Sequence, residues 1–494
     1  MLRKILKWAG IALVVLVACG AVLYAVGLRV VLYGGGAMRL AFVESEGDRA
    51  ARIALDREAQ RARAPAAPSA APAVPTASVA PAAPAPEPDE SRTPEAAAPV
   101  AAAAYWTDFR GPKRDGHYRE RPILTSWPAD GLKPIWKQPV GGGYASFVIA
   151  GGRAFTIEQR GPQEIVAAYD VATGRELWTS AWTATFHESM GGTGPRATPV
   201  WAEGRVFALG GLGELRCLED ATGALVWRTN ILDDNGASNL QWGMSAAPLV
   251  VDGTIVVLPG GTGGSKGQSV VAYDRRTGKR TWSALNDQQA YASPMLVTLA
   301  GVRQILVFSA SRVMGLTPDR GDVLWEYPWK TSYDVNAGQP IVIGDNRVFV
   351  SSGYGGGAAV VELTRTDAGP FQVREVWRNI RMKNQFTSSV LHEGFIYGLD
   401  ESILACVDAA TGELKWKGGR YGYGQVLLAS GHLIVLGEEG DLVLVRAAPD
   451  RHNELARFPA LEGKTWNHPA MSDGILLVRN IYEMAAFDLR AAAR

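Results

Sequence analysis

Short runs of alternating apolar and polar residues, separated by turns that contain glycine, fill the chain from Tyr105 onward. In residues 198–207 (TPVWAEGRVF), for example, two apolar runs flank Glu203 and Gly204. A period of two residues is typical of half-buried strands, and an acidic residue beside glycine is typical of a tight hairpin turn. The pattern therefore predicts a series of antiparallel hairpins.

A second motif follows these hairpins, in which a strand enters an Asp-x-x-Thr-Gly turn and the next strand carries a tryptophan four residues after the glycine. It is clearest at residues 170–178 and recurs at 219–227, 274–282 and 408–416, with a degraded copy that ends at Trp325. The glycine allows positive φ, and the Asp and Thr side chains can bond to the turn backbone. Two hairpins per unit predict a four-stranded antiparallel blade of about 40–55 residues.

Eight such units fit between residues 105 and 489. The tryptophan strand occurs at Trp136, Trp178, Trp227, Trp282, Trp325, Trp377 and Trp416, and Phe458 is predicted to take the eighth place. The chain opens with a lone tryptophan strand (132–140) and ends with a unit that lacks one (469–489). We therefore predict an all-β fold, an eight-bladed β-propeller of four-stranded antiparallel blades. Pairing of the N-terminal strand with the last blade would close the ring and remove two free sheet edges.

An uncharged run from Trp8 to Leu28 follows Arg3, Lys4 and Lys7. As a helix it would be about 31 Å long, which matches a hydrocarbon core of about 30 Å. Positive charge on the short N-terminal side predicts one transmembrane helix that anchors the chain in the inner membrane, with the propeller in the periplasm. Residues 16–19 (LVAC) resemble a lipobox, so a lipoprotein acylated at Cys19 is the alternative. Residues 1–34 are thus an anchor or a signal segment.

Two further segments separate this anchor from the propeller domain, 105–494. Residues 35–63 mix charged residues with alanine, which predicts a charged, solvated stalk with helical propensity. Residues 64–104 contain 18 alanines and ten prolines in 41 positions. Because proline removes backbone donors and disfavours helix before it, we predict a disordered, semi-extended linker here, able to reach about 130 Å.

Charge and histidine content narrow the function classes. The formal net charge is +1, so no global field would attract nucleic acid, and nucleic acid is not an expected partner. The six histidines are scattered without metal-ligand spacing. We predict no metal site, no catalytic residue and a monomer.

The repeat, together with the opening residues 106–116 (WTDFRGPKRDG), resembles the pyrroloquinoline-quinone (PQQ)-like repeat family over nearly all of residues 105–489. That superfamily includes PQQ-dependent alcohol dehydrogenases and, without catalysis, the propeller lipoprotein of the outer-membrane β-barrel assembly machinery. For the enzymes, the resemblance implies PQQ held between a tryptophan and a disulfide of adjacent cysteines. It also implies a calcium ion bound by carboxylate and amide oxygens, and an aspartate base.

The cysteines depart from the pattern of these enzymes. The chain has only Cys19, Cys217 and Cys406, so it contains neither an adjacent pair nor a Cys-x-x-Cys-His haem motif. Cys217 and Cys406 each lie six residues before a turn glycine, at a small-residue position, in blades 2 and 6. These two blades lie on opposite sides of the predicted ring, whereas a disulfide needs Cα atoms within about 7 Å. We therefore predict that the two cysteines do not pair. A non-catalytic binding or scaffold module is favoured, and a periplasmic PQQ-dependent oxidoreductase with calcium is the alternative.

The loops that enter the innermost strands of a propeller converge around its axis, and here they carry aromatic, amide and cationic side chains. We call this region the axial mouth, and its candidate residues are Tyr144, Arg196, Trp242, Tyr291, Asn336, Asn384, Gln385, Tyr423, Trp466 and His468. Aromatic rings with polar tips are typical of binding sites. Two interpretations stay open: the axial mouth binds an envelope protein or a small ligand, or its side chains plug the channel.

Overall fold

A computed structural model describes residues 8, 17–63, 105–261, 268–365 and 369–491. Within them, eight antiparallel sheets of the predicted kind form a closed β-propeller, so the predicted fold is confirmed. In blades 1 to 7 the four strands are hydrogen-bonded in chain order, from the innermost to the outermost, and in blade 8 the outermost strand comes from the N-terminal side of the propeller.

The blades are numbered here from the first complete one. Blades 1 to 4 consist of Val148–Ala150, Arg153–Arg160, Gln163–Asp170 and Glu176–Thr183; Val200–Ala202, Arg205–Leu209, Glu214–Glu219 and Leu225–Asn230; Leu249–Val251, Thr254–Val257, Val270–Asp274 and Arg280–Ala284; and Met295–Leu299, Val302–Phe308, Arg312–Leu316 and Val323–Pro328. Blades 5 to 8 consist of Ile341–Ile343, Arg347–Ser352, Gly357–Thr364 and Gln372–Asn379; Val390–His392, Phe395–Asp400, Ile403–Asp408 and Leu414–Arg420; Gln425–Ala429, His432–Leu436, Asp441–Arg446 and Glu454–Pro459; and Ala470–Ser472, Ile475–Arg479, Glu483–Asp488 and Pro134–Pro139.

The N-terminal strand closes the ring as predicted. Pro134–Pro139 pairs antiparallel with Glu483–Asp488, and Trp136 lies opposite Ala486. A short strand not foreseen from the sequence, His117–Tyr118, adds in parallel to the innermost strand of blade 7. A short helix, Ile231–Asn235, follows blade 2.

The repeated tryptophan and the repeated glycine form one contact between neighbouring blades. The Trp178 ring of blade 1 lies over Gly223 in the turn of blade 2, and a Cβ on that glycine would overlap the ring. The Trp178 Nε1–H also donates to the Asp220 carbonyl at 2.9 Å. Gly223 has a φ of 73°, so the position requires glycine both for its conformation and for its space. The Asp-x-x-Thr-Gly turn and the tryptophan therefore pack blade against blade.

One expected tryptophan equivalent is displaced. Each tryptophan strand has a β-bulge directly after the tryptophan pair, as at Ala168 and Trp178 in blade 1. In blade 7 the pair at this bulge is Leu444 and Ala456. Ala456 therefore occupies the tryptophan position, and the assignment of Phe458 was wrong by two residues.

The cysteines occupy the small-residue position, as predicted. Cys217 lies directly opposite Trp227 in blade 2, and Cys406 directly opposite Trp416 in blade 6. All three cysteines of the chain are free. Burial raises the pKa of the Cys217 and Cys406 thiols to about 12. Both thiols therefore act as small apolar core groups.

The N-terminal region adds two elements that lie on the propeller. A β-hairpin (Leu28–Leu32 and Met38–Phe42, joined by a 3₁₀ turn at Gly34–Gly36) precedes a helix, Glu46–Arg63. This helix buries Arg49, Ile53 and Arg57, so it is not the fully solvated stalk expected from its charges. Arg57 Nη2–H donates to the Pro139 carbonyl at 2.8 Å, and Gln60 Nε2–H to Gln138 Oε1 at 2.7 Å. The helix thus packs against the strand that closes the ring.

The structure leaves part of the predicted N-terminal organisation untested. Residues 17–25 are helical, but residues 9–16 of the predicted membrane span lie outside the described residues, as do residues 64–104 of the Ala/Pro linker. Among the helices that the structure does describe, none is long and apolar enough to cross a membrane.

Candidate functional site

A cavity of about 200 Å³ lies on the propeller axis, and we call it the axial cavity. Loops from separate blades line it, together with two segments that precede the propeller. Its aromatic lining is Tyr33, Phe109, Tyr144, Trp242, Tyr291, Tyr354, Phe386 and Trp466, and its polar lining includes Glu188, Arg196, Ser293, Gln385, Gln425 and His468.

Residues 105–127, the lead-in segment, contribute one side chain to the axial cavity. Phe109 reaches the cavity and packs edge-on against His468, with ring centroids 5.9 Å apart. Beside it, the buried Arg110 donates to the Ser389 carbonyl at 2.8 Å, and the buried Arg114 donates to the Pro294 carbonyl at 2.6 Å. The WTDFRGPKRDG motif therefore ties blades 4 and 6 together. These structural contacts explain why the motif is present without any role in binding a ligand.

The tip of the N-terminal hairpin also lines the axial cavity. Gly34 N–H donates to Glu438 Oε1 at 2.6 Å, and Lys464 Nζ donates to the Leu32 carbonyl at 3.1 Å. The Tyr423 ring lies so close beneath Gly34 that a Cβ there would overlap it. The axial mouth thus holds a turn of its own chain, mainly through backbone groups and one aromatic ring.

One side of the axial mouth contains an ion pair that is packed against aromatic rings. Arg196 Nη2 lies 2.7 Å from Glu188 Oε1, and its guanidinium lies 4.5 Å from the centre of the Phe186 ring. Glu188 stands on a short hairpin, His187–Glu188 with Gly192–Thr193, and accepts from Gly191 N–H at 2.5 Å. Burial lowers the pKa of Arg196 and the neighbouring Glu188 carboxylate opposes this. Since the pair is mutually neutralised, this side offers little net charge to a ligand.

A run of aromatic rings in mutual contact adjoins this ion pair through Tyr144, whose ring centre lies 5.6 Å from the Arg196 guanidinium. Trp466 lies 5.1 Å from Tyr144 and 4.6 Å from Phe386, and Phe386 stacks on Tyr423 at 5.4 Å. Trp466 Nε1–H donates to Glu438 Oε1 at 2.8 Å, so the same carboxylate oxygen fixes this ring and accepts from the hairpin tip. Aromatic surface with few converging polar groups is typical of binding sites for small molecules and peptides.

The structure places the ten candidate residues of the axial mouth in three environments. Seven line the axial cavity: Tyr144, Arg196, Trp242, Tyr291, Gln385, Trp466 and His468. Asn336 and Asn384 are buried outside it, where Asn336 donates to the Ser309 carbonyl at 2.8 Å and Asn384 to the Leu399 carbonyl at 3.1 Å. Tyr423 lies under the hairpin tip. The two asparagines therefore satisfy loop backbones, as the plug interpretation expects.

Sequence reasoning did not place Glu438, Tyr354 or Tyr33 at this site. Glu438 and Tyr354 lie in turns between the second and third strands of blades 7 and 5. In an antiparallel blade these turns lie at the same end as the loops that enter the first strand. Both turns are glycine-rich, residues 437–440 (GEEG) and 353–357 (GYGGG), which is a signal that could have identified them. Tyr33 had no comparable signal.

Titratable groups around the axial cavity are shifted mainly by burial. Burial lowers the pKa of His468 to about 3, so its imidazole is neutral. Burial also lowers the pKa of Lys464 to about 8, against the opposing effect of Glu188 and Glu438. Shifted groups occur at catalytic sites and in structural networks alike. Both of these groups hold backbone carbonyls, so their arrangement has a structural explanation.

The residues around the axis do not match what the resemblance implies for PQQ and calcium. The disulfide of adjacent cysteines is impossible, since the chain has no adjacent cysteines. Among the described residues, no group of three or more His, Cys, Asp and Glu side chains is placed to hold a metal ion. The tryptophans that line the cavity could flank a planar ring such as PQQ. The Glu188 carboxylate, however, is already bound by Arg196 and by a backbone N–H, so it is not free to bind calcium.

Comparison with known sequences gives a family and three relatives. The family model described as "Outer membrane protein assembly factor BamB" matches residues 162–418. BamB of Bordetella pertussis is 22% identical over 214 residues, which cover 43% of this chain and 49% of that protein. The quinohemoprotein alcohol dehydrogenase ADH-IIG of Pseudomonas putida is 29% identical over 141 residues, 28% of this chain and 19% of the enzyme. A quinohemoprotein alcohol dehydrogenase of Comamonas testosteroni is 29% identical over 123 residues, 24% of this chain and 16% of the enzyme. Each match thus spans at most about half of the relative.

Solved structures show the same fold. BamB from Moraxella catarrhalis superposes with a TM-score of 0.51 at 13% identity, covering 74% of this chain and 99% of that one. The ADHIIG enzyme from Pseudomonas putida HK5 superposes with a TM-score of 0.57 at 13% identity, covering 80% of this chain and 81% of that one. At such low identity these likenesses concern the fold alone.

Proposed function

This chain belongs to the family of the outer membrane protein assembly factor BamB, and from that premise we propose that it is a non-catalytic binding or scaffold module of the cell envelope. We further propose that residues 8–28 anchor it in the inner membrane and that the propeller lies in the periplasm. Acylation at Cys19 is the alternative form of the tether. The partner we propose is an envelope protein, held at the axial mouth.

One observation carries the proposal: the axial mouth already holds a peptide turn. Glu438 accepts a backbone N–H, Lys464 donates to a backbone carbonyl, and Tyr423 packs against a glycine. These contacts recognise main chain more than side chains, so a turn of another protein could use them too. Such a partner would either replace the hairpin tip or bind beside it, against Trp242 and Tyr291.

A crosslinking experiment in cells tests this function. A photo-crosslinking residue at Gln241, exposed beside Trp242, should give a crosslinked product that is lost in a Trp242→Ala background. A central aromatic anchor typically costs about 2 kcal/mol of binding when truncated, enough to lower occupancy more than tenfold. The matched control is the same crosslinker at Leu225, which is exposed on the outermost strand of blade 2. A product at Leu225 and none at Gln241 would move the site to the outer blade surface.

The oxidoreductase alternative has its own test. Purified protein is incubated with PQQ and calcium, separated from free cofactor, and its absorption spectrum is recorded. On our proposal no quinone absorbance stays with the protein. Retained absorbance together with dye-linked alcohol oxidation would replace the scaffold function with a dehydrogenase.

A further inference from the structure

The N-terminal hairpin has one wholly apolar face. Its register places Leu28 opposite Phe42, Val30 opposite Leu40, and Leu32 opposite Met38. Directly opposed residues of an antiparallel pair point to the same side of the sheet, so these six side chains form a single patch, the apolar hairpin face. The other side of the hairpin carries Arg29 and Arg39.

Four of the six residues of the apolar hairpin face are exposed, while Leu28 and Leu32 are half-buried. Val30, Met38, Leu40 and Phe42 are 60%, 72%, 70% and 76% exposed. The hairpin contacts the propeller through its tip and through Arg39, which pairs with Glu439 at 2.5 Å. Single exposed apolar residues are common, but a contiguous exposed patch marks an interaction surface.

A second exposed apolar segment directly precedes this face along the chain. Residues 17–25 form a helix that runs directly into the hairpin and exposes Val17, Val22, Leu23 and Tyr24. Val43 N–H donates to the Gly27 carbonyl at 2.8 Å, which joins the end of the hairpin to the end of the helix. At the junction the Arg29 guanidinium lies 3.5 Å from the centre of the Tyr24 ring. Arginine and tyrosine are typical of the headgroup level of a membrane.

We propose that the apolar hairpin face lies in the boundary between lipid headgroups and acyl chains, so that the axial mouth is turned toward the membrane. This rests on the proposed anchor of residues 8–28. Interfacial elements bury an apolar face about 5–10 Å deep and keep cationic residues at the polar level, and the hairpin has both features. A lipid surface needs no shape complementarity, which suits a flat ribbon of Leu, Val, Met and Phe side chains.

The experiment measures how deep single positions lie in a bilayer. The full chain carrying Cys19→Ser is reconstituted into vesicles of phosphatidylethanolamine and phosphatidylglycerol, with one added cysteine that bears an environment-sensitive fluorophore. The native Cys217 and Cys406 are fully buried and should not label. Test positions are Leu40→Cys and Phe42→Cys. Controls are Ala41→Cys, on the other side of the same strand, and Leu455→Cys, 44% exposed on the outermost strand of blade 7.

We expect the labels at 40 and 42 to be quenched several-fold more than those at 41 and 455 by lipids brominated near the headgroup. Lipids brominated near the chain ends should quench them less. If a label at Val22 is quenched but those at 40 and 42 are not, the tether stands and the membrane-facing hairpin is refuted. Blue-shifted emission at 40 without bromine quenching would mean that protein covers this face, which also refutes the proposal. A chain that does not float with the vesicles refutes both the tether and the hairpin contact.

Discussion

Replacement of Trp227 by alanine tests the contact between blades most directly. The Trp227 side chain is only 8% exposed, and its ring centroid lies 6.0 Å from that of Phe207. Its Nε1–H donates to the Arg275 carbonyl at 2.9 Å across the blade boundary, and a Cβ on Gly278 would come within 2.7 Å of the ring. Removal of the indole therefore opens a cavity between blades 2 and 3.

The magnitude follows from the buried area. A buried tryptophan removes about 150–250 Å² from water, an upper bound of about 4–6 kcal/mol at 25 cal/mol per Å². Trp→Ala replacements in cores typically cost about 3–5 kcal/mol. We expect the free energy of unfolding to fall by about 3–5 kcal/mol in a urea titration followed by circular dichroism. A change of less than about 1 kcal/mol would refute blade packing by Trp227.

Trp282 provides a matched control for the hydrogen bond. It occupies the same position in blade 3, but its Nε1–H has no hydrogen-bond partner among the described residues. Trp227→Phe removes an indole hydrogen bond, whereas Trp282→Phe removes an indole N–H that makes none. The first variant should therefore be less stable than the second by about 1 kcal/mol, the usual net value of one hydrogen bond. Equal costs would show that this bond contributes nothing.

Three further expectations concern the turn glycine, a buried acid and the closing strand. Gly223→Ala should destabilise the chain by clearly more than about 1 kcal/mol, because its Cβ would overlap the Trp178 ring. The control is Gly204→Ala, at a φ of 77° with open space around it, which should cost about 1 kcal/mol. Equal unfolding midpoints of the two variants in urea would contradict the overlap. Burial raises the pKa of Glu164 to about 7, so the folded chain holds this proton longer than the unfolded one and stability should fall as the pH rises from about 4.5 through 7. Glu164→Gln should flatten that loss when unfolding is measured at several pH values, and an unchanged slope would contradict it. Deletion of residues 1–139 removes the strand paired with Glu483–Asp488 and should give insoluble protein, whereas a soluble, folded truncation would rule out this closure.

The blades could be predicted from the sequence because their signals are local and repeated. The turn glycine packs under the tryptophan of the preceding blade, and the tryptophan four residues later packs over the turn glycine of the next blade. The same contact therefore recurs around the ring, and each copy of the motif supports the others. Phe458 was misassigned because blade 7 lacks the Asp-x-x-Thr-Gly turn, and only the position of the bulge shows that Ala456 is the equivalent residue. Where the repeat degrades, composition alone does not fix the register.

The axial mouth was less predictable, because its decisive contacts join residues far apart in sequence. Gly34 and Glu438 are 404 positions apart and belong to no repeat. Amide side chains in loops are equally typical of ligand contacts and of backbone satisfaction. Asn336 and Asn384 are assigned to the second role only by the carbonyls beside them.

The docking of the helix Glu46–Arg63 on the closing strand determines what a cut in the Ala/Pro segment, residues 64–104, would do. Both ends of residues 64–104 are attached to the same body, through Gln60 on one side and the buried Trp106 on the other. A single cut within this segment would therefore leave two chains held together only by the hairpin and helix contacts. Because residues 64–104 join these parts covalently, the contacts form within one chain, at an effective concentration on the order of millimolar. Cleavage would turn a unimolecular association into one that weakens on dilution.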